Sequence, residues 1–486
     1  MKFVIISPPY MPGDLIIVPY GMSIVKAFLQ QNHHTRQVDL NMRIRDSKRK
    51  VQLERFMDYK VIQDYLNGHS GNNEKQIRYM LDEVKLNKDE VVLLSCHFHH
   101  QFLLGLMLAK HLKEKNGNKI VMGGAYFYHA NIDDLHKRFK FVDIFSVGSI
   151  ECVYDKMTYF LRMNKRGVIN KKNSIPKLLQ PDYKDIQLKD YVKKIDNKQI
   201  LELPVQTGLK CQNSCRFCNF FRLDYNFPVK EIVESIRIQQ KKYGTDYFYF
   251  VNNSITNNTQ QLFSELINGN VKIKWRSRIC PDELDPQTIK LLKMSGCYQL
   301  EMGIESGSDS VRDDMNKKIE LKKLLESLEI CKRYGIRTGV YMIIGFPTET
   351  NKDFMMTLDL IKKISGYVSF FQLAKFFVSE GSEISRNPEK YNISLVESPE
   401  SSVPDVIKGY RTFIYHKPNN ADKRLKKAWS VVYKHNMQKR YGILRIIPFD
   451  MFYYLFHKKM VFRKSQLNSL FNIYCYLFNQ KHIMHR

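Results

Sequence analysis

Short apolar segments alternate with amphipathic helical segments over residues 1–160 of this 486-residue chain, and this alternation limits the fold more than any other feature. Apolar runs that are bounded by turns and separated by helices are typical of a parallel, doubly wound sheet. Ligands of such sheets bind beyond the carboxyl ends of the strands. The predicted strands are Lys2–Ser7, Thr35–Leu40, Val91–Ser95, Lys119–Met122 and Val142–Val147, and the predicted helices are Tyr20–Gln31, Gln101–Lys115 and Cys152–Arg162.

The alternation resumes over residues 200–380, with a period of roughly 30 to 40 residues. Six strand–helix units predict a partial (β/α)6 barrel, and catalytic groups of barrels lie at the carboxyl ends of the strands. The predicted strands are Leu201–Gln206, Tyr247–Val251, Lys272–Arg278, Gln299–Ile304, Thr338–Ile344 and Val368–Phe371, and the predicted helices include Val229–Lys242, Gln287–Met294 and Lys322–Tyr334.

The two blocks divide the chain into four parts. Residues 163–199 are polar and basic with few apolar side chains, which indicates a linker. The sequence therefore predicts an α/β protein with a Rossmann-like doubly wound domain over residues 1–162, a linker over 163–199, a barrel over 200–384 and a mainly helical region over 385–486 that is basic and rich in aromatic residues.

Composition indicates a globular protein of a reducing compartment. Hydrophobic residues make up 43% of the chain, and no uniform apolar run has the length that spans a membrane. The first residues, MKFVIISPPY, predict a strand rather than a signal peptide. The nine cysteines are an odd number without a paired framework, which favours the cytoplasm.

The formal charge of +28 is unevenly distributed, because residues 401–486 hold 17 Lys and Arg against 3 Asp and Glu. Such a surplus attracts anionic substrates, acidic peptides, RNA or anionic membranes, although a general bias toward lysine would also produce it. Residues Ala421–Arg440 predict a basic amphipathic helix, and Ile446–Leu455 and Leu470–Phe478 are rich in aromatic residues. The region could form a peripheral membrane contact or a helical cap on the barrel. No recognised nucleic-acid module is present.

Three cysteines, Cys211, Cys215 and Cys218, lie on the loop that leaves the first predicted barrel strand. One short loop can direct three thiolates at one metal centre, but it offers no fourth cysteine nearby. A structural zinc site is normally closed by four ligands, and an ordinary iron–sulfur cluster by four cysteines. The spacing favours a cluster with one iron left free for chemistry. A zinc site completed by a distant histidine and a set of unrelated thiols are the alternatives.

Polar residues and glycines follow several other predicted strands of the barrel. Arg276 and Arg278 alternate along the third strand and therefore share one face. An inward arginine could hold a carboxylate in a bidentate manner, or it could form a salt bridge at the edge. The remaining groups are Asn252-Asn253-Ser254, Gly303-Ile304-Glu305-Ser306-Gly307-Ser308 with Met315-Asn316-Lys317, and Gly345-Phe346-Pro347-Thr348-Glu349-Thr350.

These motifs together resemble the radical S-adenosylmethionine (radical SAM) enzymes, in which three such cysteines hold a [4Fe-4S] cluster. The resemblance implies that the open iron binds S-adenosylmethionine, which is cleaved to a 5′-deoxyadenosyl radical. Asn252–Ser254 stands where many relatives carry acidic residues, and Thr348 replaces a glycine of the family pattern. The residues that the resemblance assigns to S-adenosylmethionine are Phe217, Asn253, Arg278, Glu305, Ser306, Gly345, Phe346 and Pro347.

The first block resembles the cobalamin-binding domain that precedes many radical SAM cores. A Pro-Pro turn after the first strand, a Gly-Gly pair after the fourth and a G-x-x-E turn after the last carry this resemblance. The D-x-H-x-x-G motif is absent, so a histidine ligand to cobalt is not implied. His97, His99 and His100 could reach a ligand or form a polar loop face, and a domain that has lost its cofactor is the alternative. The residues assigned to cobalamin are Pro9, Ser95, Gly123, Gly124, Gly148 and Glu151.

Together the two resemblances imply a cobalamin-dependent methyltransferase that alkylates an unactivated carbon. The substrate would be a natural-product intermediate, a lipid or a peptide, and an electron donor such as flavodoxin or ferredoxin would reduce the cluster. The alternative is a radical rearrangement, cyclisation or sulfur transfer with an assisting or vestigial cobalamin domain. The expected location is the cytoplasm, with or without a membrane contact through the basic C-terminal region.

Overall fold

The protein is described from a computed structural model that covers residues 1–486. The described residues are all except 10–16, 43–58, 69–83, 196–197, 210, 220–222, 253–258, 397–409, 417–418 and 437–486.

The N-terminal part is a six-stranded parallel sheet with the order β2-β1-β3-β4-β5-β6. The predicted doubly wound arrangement is confirmed, and β6 is an additional strand within the predicted linker. The strands are β1 (Lys2–Ser7), β2 (His34–Asp39), β3 (Glu90–Ser95), β4 (Lys119–Gly123), β5 (Ile144–Val147) and β6 (Gly167–Asn170), and the helices are α1 (Tyr20–Leu29), α2 (Tyr59–Leu66), α3 (His99–Asn116), α4 (Ile132–Arg138) and α5 (Ile150–Arg162).

The second sheet is also parallel and six-stranded, with its strands in sequential order. It is preceded by a small antiparallel pair, β7 (Lys193–Ile195) and β8 (Lys198–Ile200). All six predicted barrel strands are present. They are β9 (Glu202–Gln206), β10 (Tyr247–Val251), β11 (Lys274–Arg278), β12 (Cys297–Glu305), β13 (Arg337–Ile344) and β14 (Phe370–Lys375), with helices α6 (Val229–Tyr243), α7 (Thr259–Asn268), α8 (Pro286–Met294), α9 (Asp309–Asp314), α10 (Leu321–Arg333) and α11 (Asn351–Ile364).

The C-terminal region begins with strands that the sequence pattern did not predict. β15 (Val378–Ser379), β16 (Ile393–Val396) and β17 (Tyr410–Tyr415) form a three-stranded antiparallel sheet. The helix α12 (Glu383–Arg386) separates β15 from β16.

The predicted basic helix is present as α13 (Ala421–Asn436), and it contacts the edge strand β14 and the helix α11. Its buried face is apolar and includes Leu425, Ala428 and Trp429. The aromatic segments 446–455 and 470–478 lie outside the described residues. Among the helices that the structure describes, none has the length and hydropathy needed to span a membrane.

The segment between the two sheets is held to both of them. The ammonium group of Lys26 on α1 forms salt bridges with Asp182 and Asp185, at 3.6 and 2.9 Å. The backbone N–H of Tyr183 donates to the hydroxyl of Tyr243 on α6 at 3.1 Å, and the two rings are 5.1 Å apart. This segment therefore joins the first sheet to the barrel through buried polar and aromatic contacts.

A buried ion network joins three barrel strands from inside the barrel. The guanidinium of Arg276 (β11) donates to both carboxylate oxygens of Glu202 (β9) at 2.7 and 2.8 Å, and to Glu301 (β12) at 2.8 Å. Lys193 adds a second cation 2.8 Å from Glu202. Burial opposes ionisation of Glu202, but Arg276 and Lys193 lower its pKa to about 2. The network thus remains charged throughout the neutral range.

Replacing Arg276 with Met is expected to destabilise the protein by about 3–5 kcal/mol, because two buried carboxylates lose their shared cation. Denaturant unfolding of the variant measures this change. Arg333→Met is the matched control, since Arg333 is exposed on α10, and it should change stability by less than about 0.5 kcal/mol. Equal stability of the two variants would show that the network does not hold the barrel together.

Candidate functional site

The cysteine loop is held at the mouth of the barrel by the segment that follows α9. The side chain of Asn316 donates to the backbone oxygen of Ser214 at 3.0 Å and to its hydroxyl at 2.7 Å. The backbone N–H of Arg216 donates to the oxygen of Met315 at 3.0 Å. Because these bonds reach the loop from a distant part of the sequence, they fix its position relative to β12.

Cys211, Cys215 and Cys218 are each partly exposed on this loop. Burial raises the pKa of Cys215 to about 11, while the nearby Lys317 cation acts to lower it. In the described part of the chain, no three Cys, His, Asp or Glu side chains converge closely enough to bind a single metal ion. A four-iron cluster does not require such convergence, because each thiolate binds a different iron. The partly exposed trio with an adjacent cation suits an anionic, thiolate-ligated cluster.

Glu305 stands at the end of β12 in a strained conformation. Its φ is +69°, which is uncommon for a residue other than glycine, and the N–H of Ser306 donates to the oxygen of Ile304 across it at 2.9 Å. A three-residue turn of this kind is rare and stores strain. A Cβ on Gly303 would lie 2.1 Å from the Glu305 carboxylate and 3.6 Å from the Lys317 ammonium. The glycine therefore makes room for both charged groups.

The charge of Glu305 depends on its surroundings. Burial raises the pKa of its carboxyl to about 7, and Lys317 acts in the opposite direction. Burial acts to lower the pKa of Lys317, but the Coulomb interactions with Glu305 and, after it, with Cys215, Cys280 and Cys211 raise it overall. Lys317 thus connects the glutamate of β12 electrostatically with the cysteine loop.

The other predicted nucleoside-binding residues lie around an apolar cluster above the barrel mouth. Phe346 is fully buried in this cluster, and Phe217 of the cysteine loop packs against it. Gly345 has a φ of +78°, and Pro347 follows in the same turn. Ser306 is fully buried, and its hydroxyl bonds to Thr357 at 3.2 Å. The structure thus brings the cysteine loop and the 345–349 turn together, while Ser306 supports the packing of α11.

The two arginines of β11 differ in their surroundings. Arg276 points inward and holds the carboxylate of Glu202 in a bidentate manner, so its salt bridge is buried and does not lie at the edge. Arg278 is only partly exposed, and its pKa is raised chiefly by Tyr249, with Tyr341 and Glu301 also nearby. Its Nε has no hydrogen-bond partner in the described part of the chain. Arg278 therefore remains the arginine available to an anionic ligand, and Asn253 lies outside the described residues.

The residues assigned to cobalamin lie at the carboxyl end of the first sheet. Pro9, Ser95 and Gly123 follow or end β1, β3 and β4, and the strand order reverses between β1 and β3. Such a reversal creates the crevice in which open sheets bind ligands. The exposed side chain of His97 lies against Gly21 of α1 at this crevice.

Backbone packing explains two of the glycines that the resemblance assigned to cobalamin. A Cβ on Gly124 would lie 2.4 Å from the backbone oxygen of Cys96, and one on Gly148 would lie 2.9 Å from Lys171. Both residues also have positive φ values of +117° and +124°. The carboxylate of Glu151 accepts from the N–H of Lys177 at 2.7 Å, so it supports the chain after β6. The crevice is compatible with a large flat cofactor, but these three residues also have structural roles.

A cavity of about 390 Å³ separates the cysteine loop from the first domain. One side is formed by Cys215 and Cys218, and the other by residues that follow β4 and β6. The full lining consists of Tyr128, His129, Lys172, Ser214, Cys215, Cys218, Asn219, Gly381, Glu383 and Arg386. The carboxyl ends of the two parallel sheets therefore contribute to one shared space.

Several residues of this site were not assigned a role from the sequence. Lys317 stood within a quoted motif, but its position between Glu305 and the cysteines depends on tertiary structure. Tyr249 and Tyr341 line the barrel beside Arg278. The period-two alternation of side chains along β10 and β13 could have indicated that these two tyrosines point into the barrel.

A family model described as the Radical SAM superfamily matches residues 205–361, so the chain contains a radical SAM domain, as predicted. An uncharacterised methyltransferase of Pyrococcus horikoshii is 24% identical over 177 residues, which are 35% of this chain and 39% of that protein. A putative methylthiotransferase of Methanocaldococcus jannaschii is 27% identical over 175 residues, which are 32% of this chain and 38% of that protein. The aligned segments thus span less than half of either relative.

Among solved structures, the radical S-adenosylmethionine methyltransferase TsrM of Kitasatospora setae, with cobalamin and a [4Fe-4S] cluster bound, matches with a TM-score of 0.61. The match has 11% identity and covers 89% of this chain and 91% of that chain. A second TsrM structure, with a TM-score of 0.59 and 12% identity, holds tryptophan and an S-adenosylmethionine analogue, and it covers 90% of this chain and 89% of that chain. At these identities the likeness is one of fold, and it confirms the predicted order of a Rossmann-like domain followed by a barrel.

Glu283 provides a test of the electrostatics near the cysteine loop. It lies in the turn after β11, where Asn213 of the cysteine loop donates to Cys280 at 3.4 Å. Burial, together with the nearby Asp282, raises the pKa of Glu283 to about 7. Because the pKa is higher in the folded protein than in the unfolded chain, ionisation reduces stability as the pH rises from about 4.5 to about 7.

Glu283→Gln is therefore expected to stabilise the protein by about 1 kcal/mol at pH 8, after allowance for partial exposure, and by little at pH 5. Thermal unfolding at the two pH values measures the difference. Glu326→Gln, at an exposed position of α10, should show no such pH dependence. A gain from Glu283→Gln that is equal at both pH values would contradict the raised pKa.

Proposed function

We propose that this chain is a cobalamin-dependent radical SAM enzyme that transfers a methyl group from S-adenosylmethionine to an unactivated carbon. The substrate would be a natural-product intermediate, a lipid or a peptide, and a flavodoxin or ferredoxin would supply electrons. The radical SAM domain and the fold shared with TsrM, whose structures hold cobalamin, a cluster and tryptophan, support this proposal.

The observation that carries the proposal is the grouping of charged and thiol side chains at the barrel mouth. Lys317 lies within electrostatic reach of Glu305, Cys215 and Cys211, and the cysteine loop faces a cavity shared with the first domain. A purely structural cluster would not require a strained, desolvated glutamate beside it. This grouping therefore favours a reactive centre.

When bound, the cluster would supply the electron for cleavage of S-adenosylmethionine, and cobalamin would supply the methyl group. The contribution of the chain is to bind, orient and shield these groups. Cys211, Cys215 and Cys218 would hold the cluster and leave one iron open. Phe217 would limit the access of water to the cluster. Solvent exposure is one of the factors that set the reduction potential of a cluster.

The remaining residues would position the two other cofactors. Glu305, Ser306 and the turn with Gly345, Phe346 and Pro347 would surround S-adenosylmethionine, and Asn253 and Arg278 would contact its polar groups. Pro9, Ser95, Gly123, Gly124, Gly148 and Glu151 would line the cobalamin crevice. The cavity between the domains would then place the substrate between the two reacting groups.

Sulfur transfer is the second candidate, because one relative is a putative methylthiotransferase. It would use the same cysteine loop and the same S-adenosylmethionine site. The two functions differ in the atom that the product gains.

Replacing Cys211, Cys215 and Cys218 with Ala is expected to remove the cluster iron and to abolish formation of 5′-deoxyadenosine, because the cluster loses all of its protein ligands. Anaerobic iron and sulfide analysis and product chromatography measure both effects. Cys152→Ala is the control, since Cys152 belongs to α5 and not to this loop. Cleavage of S-adenosylmethionine by the triple variant would falsify the assignment of the loop.

S-adenosylmethionine labelled in its methyl group is expected to transfer that label to candidate substrates incubated with the reconstituted, cobalamin-loaded enzyme. Mass spectrometry identifies the product and the added atoms. A product with the labelled methyl on carbon supports methylation, whereas a product with a labelled methylthio group supports sulfur transfer. Release of 5′-deoxyadenosine with an unlabelled product would exclude both and favour a rearrangement.

A further inference from the structure

The turn that follows β13 is held from behind by the C-terminal region. The hydroxyl of Tyr415 donates to the backbone oxygen of Gly345 at 2.5 Å. The side-chain amide of Asn419 donates to the same oxygen at 3.3 Å and to the oxygen of Phe346 at 3.0 Å. Two side chains from outside the radical SAM domain therefore bind the backbone of this turn directly.

A buried ion pair reinforces the same turn. The guanidinium of Arg424 on α13 donates to the backbone oxygen of Glu349 at 2.9 Å and to its carboxylate at 2.8 Å. That carboxylate also accepts from the N–H of Gly345 at 3.1 Å. The Arg424 side chain is 9% exposed and that of Glu349 is 0% exposed, so water does not compete for these bonds.

The contact between the turn and the start of α13 leaves no spare room. A Cβ on Gly345 would lie 2.5 Å from the Cβ of Ala421 and 2.9 Å from the Oδ1 of Asn419. With its φ of +78°, Gly345 adopts a conformation that other residues rarely take. The shape of the turn and the position of α13 are therefore mutually dependent.

Two acceptor atoms at this contact lack donors. Glu349 Oε1 and Asn419 Oδ1 are buried and have no hydrogen-bond partner in the described parts of the chain. The orientation of the Asn419 amide is well determined, because its nitrogen faces two backbone oxygens. An unmatched buried acceptor is costly.

We propose that Tyr415, Asn419 and Arg424 are positioning residues of the S-adenosylmethionine site, which hold the 345–349 turn in the shape that receives the nucleoside. This inference rests on the proposed function, which assigns that turn to S-adenosylmethionine. It gives the C-terminal region a role in cofactor binding. The apolar face of α13 packs on the barrel, whereas these three polar side chains form hydrogen bonds with the backbone of the turn.

Tyr415→Phe is the main test, because it removes one hydroxyl and keeps the ring. The dissociation constant of S-adenosylmethionine, measured anaerobically by equilibrium dialysis with the cluster-loaded protein, is expected to rise about 2- to 10-fold. Asn419→Ala, which loses two bonds, should raise it further. The KM for S-adenosylmethionine should rise in parallel, while the kcat for 5′-deoxyadenosine formation, the iron content and the spectrum of the reduced cluster should remain as in the wild type.

Tyr391→Phe is the matched control, since its hydroxyl donates to Glu383 at 3.4 Å rather than to the turn, and it should leave the dissociation constant unchanged. Wild-type affinity in folded Tyr415→Phe and Asn419→Ala proteins would overturn the inference. Equal weakening by Tyr391→Phe would also overturn it, because the effect would then be general. Failure of the wild-type protein itself to bind S-adenosylmethionine would instead contradict the proposed function.

Discussion

The bidentate pairing of Arg276 with Glu202 and its bond to Glu301 set the relative positions of three strands on which the candidate site depends. The cysteine loop extends from β9, Arg278 ends β11, and Glu305 ends β12. Since a buried charge must remain matched, these strands cannot slide past one another without breaking the network. The chemistry at the barrel mouth is thus aligned by ionic contacts deeper inside the barrel.

The strands and the cysteine loop could be predicted because they depend on local pattern. The six barrel strands are short apolar or alternating runs between turns, and each was found within a few residues of its expected bounds. β6 was missed because it lies in the basic, polar segment that resembles a linker, and β17 was missed because it follows a polar segment rich in serine and proline. The salt-bridge partner of Arg276 could not be predicted from the sequence either. Glu202 is 74 residues away, and the sequence did not show which face of β11 points into the barrel.

Sequence motifs mark some residues of the candidate site, whereas the roles of others depend on tertiary contacts. Motifs marked Cys211 and Glu305, but the cation between their charges, Lys317, became apparent only once its surroundings were known. Glycines illustrate the same limit. The backbone of Cys96 leaves no space for a side chain at Gly124, with or without a ligand nearby. Sequence patterns mark candidate positions, whereas the contacts show what each side chain does there.

The support of the 345–349 turn by Arg424 affects the order in which the protein is completed during synthesis. Arg424 is 75 residues beyond Glu349 in the sequence. At translation rates of about 5–20 residues per second, that interval takes on the order of 4–15 s. The nascent barrel therefore emerges from the ribosome before Arg424 of α13 is available to support the 345–349 turn.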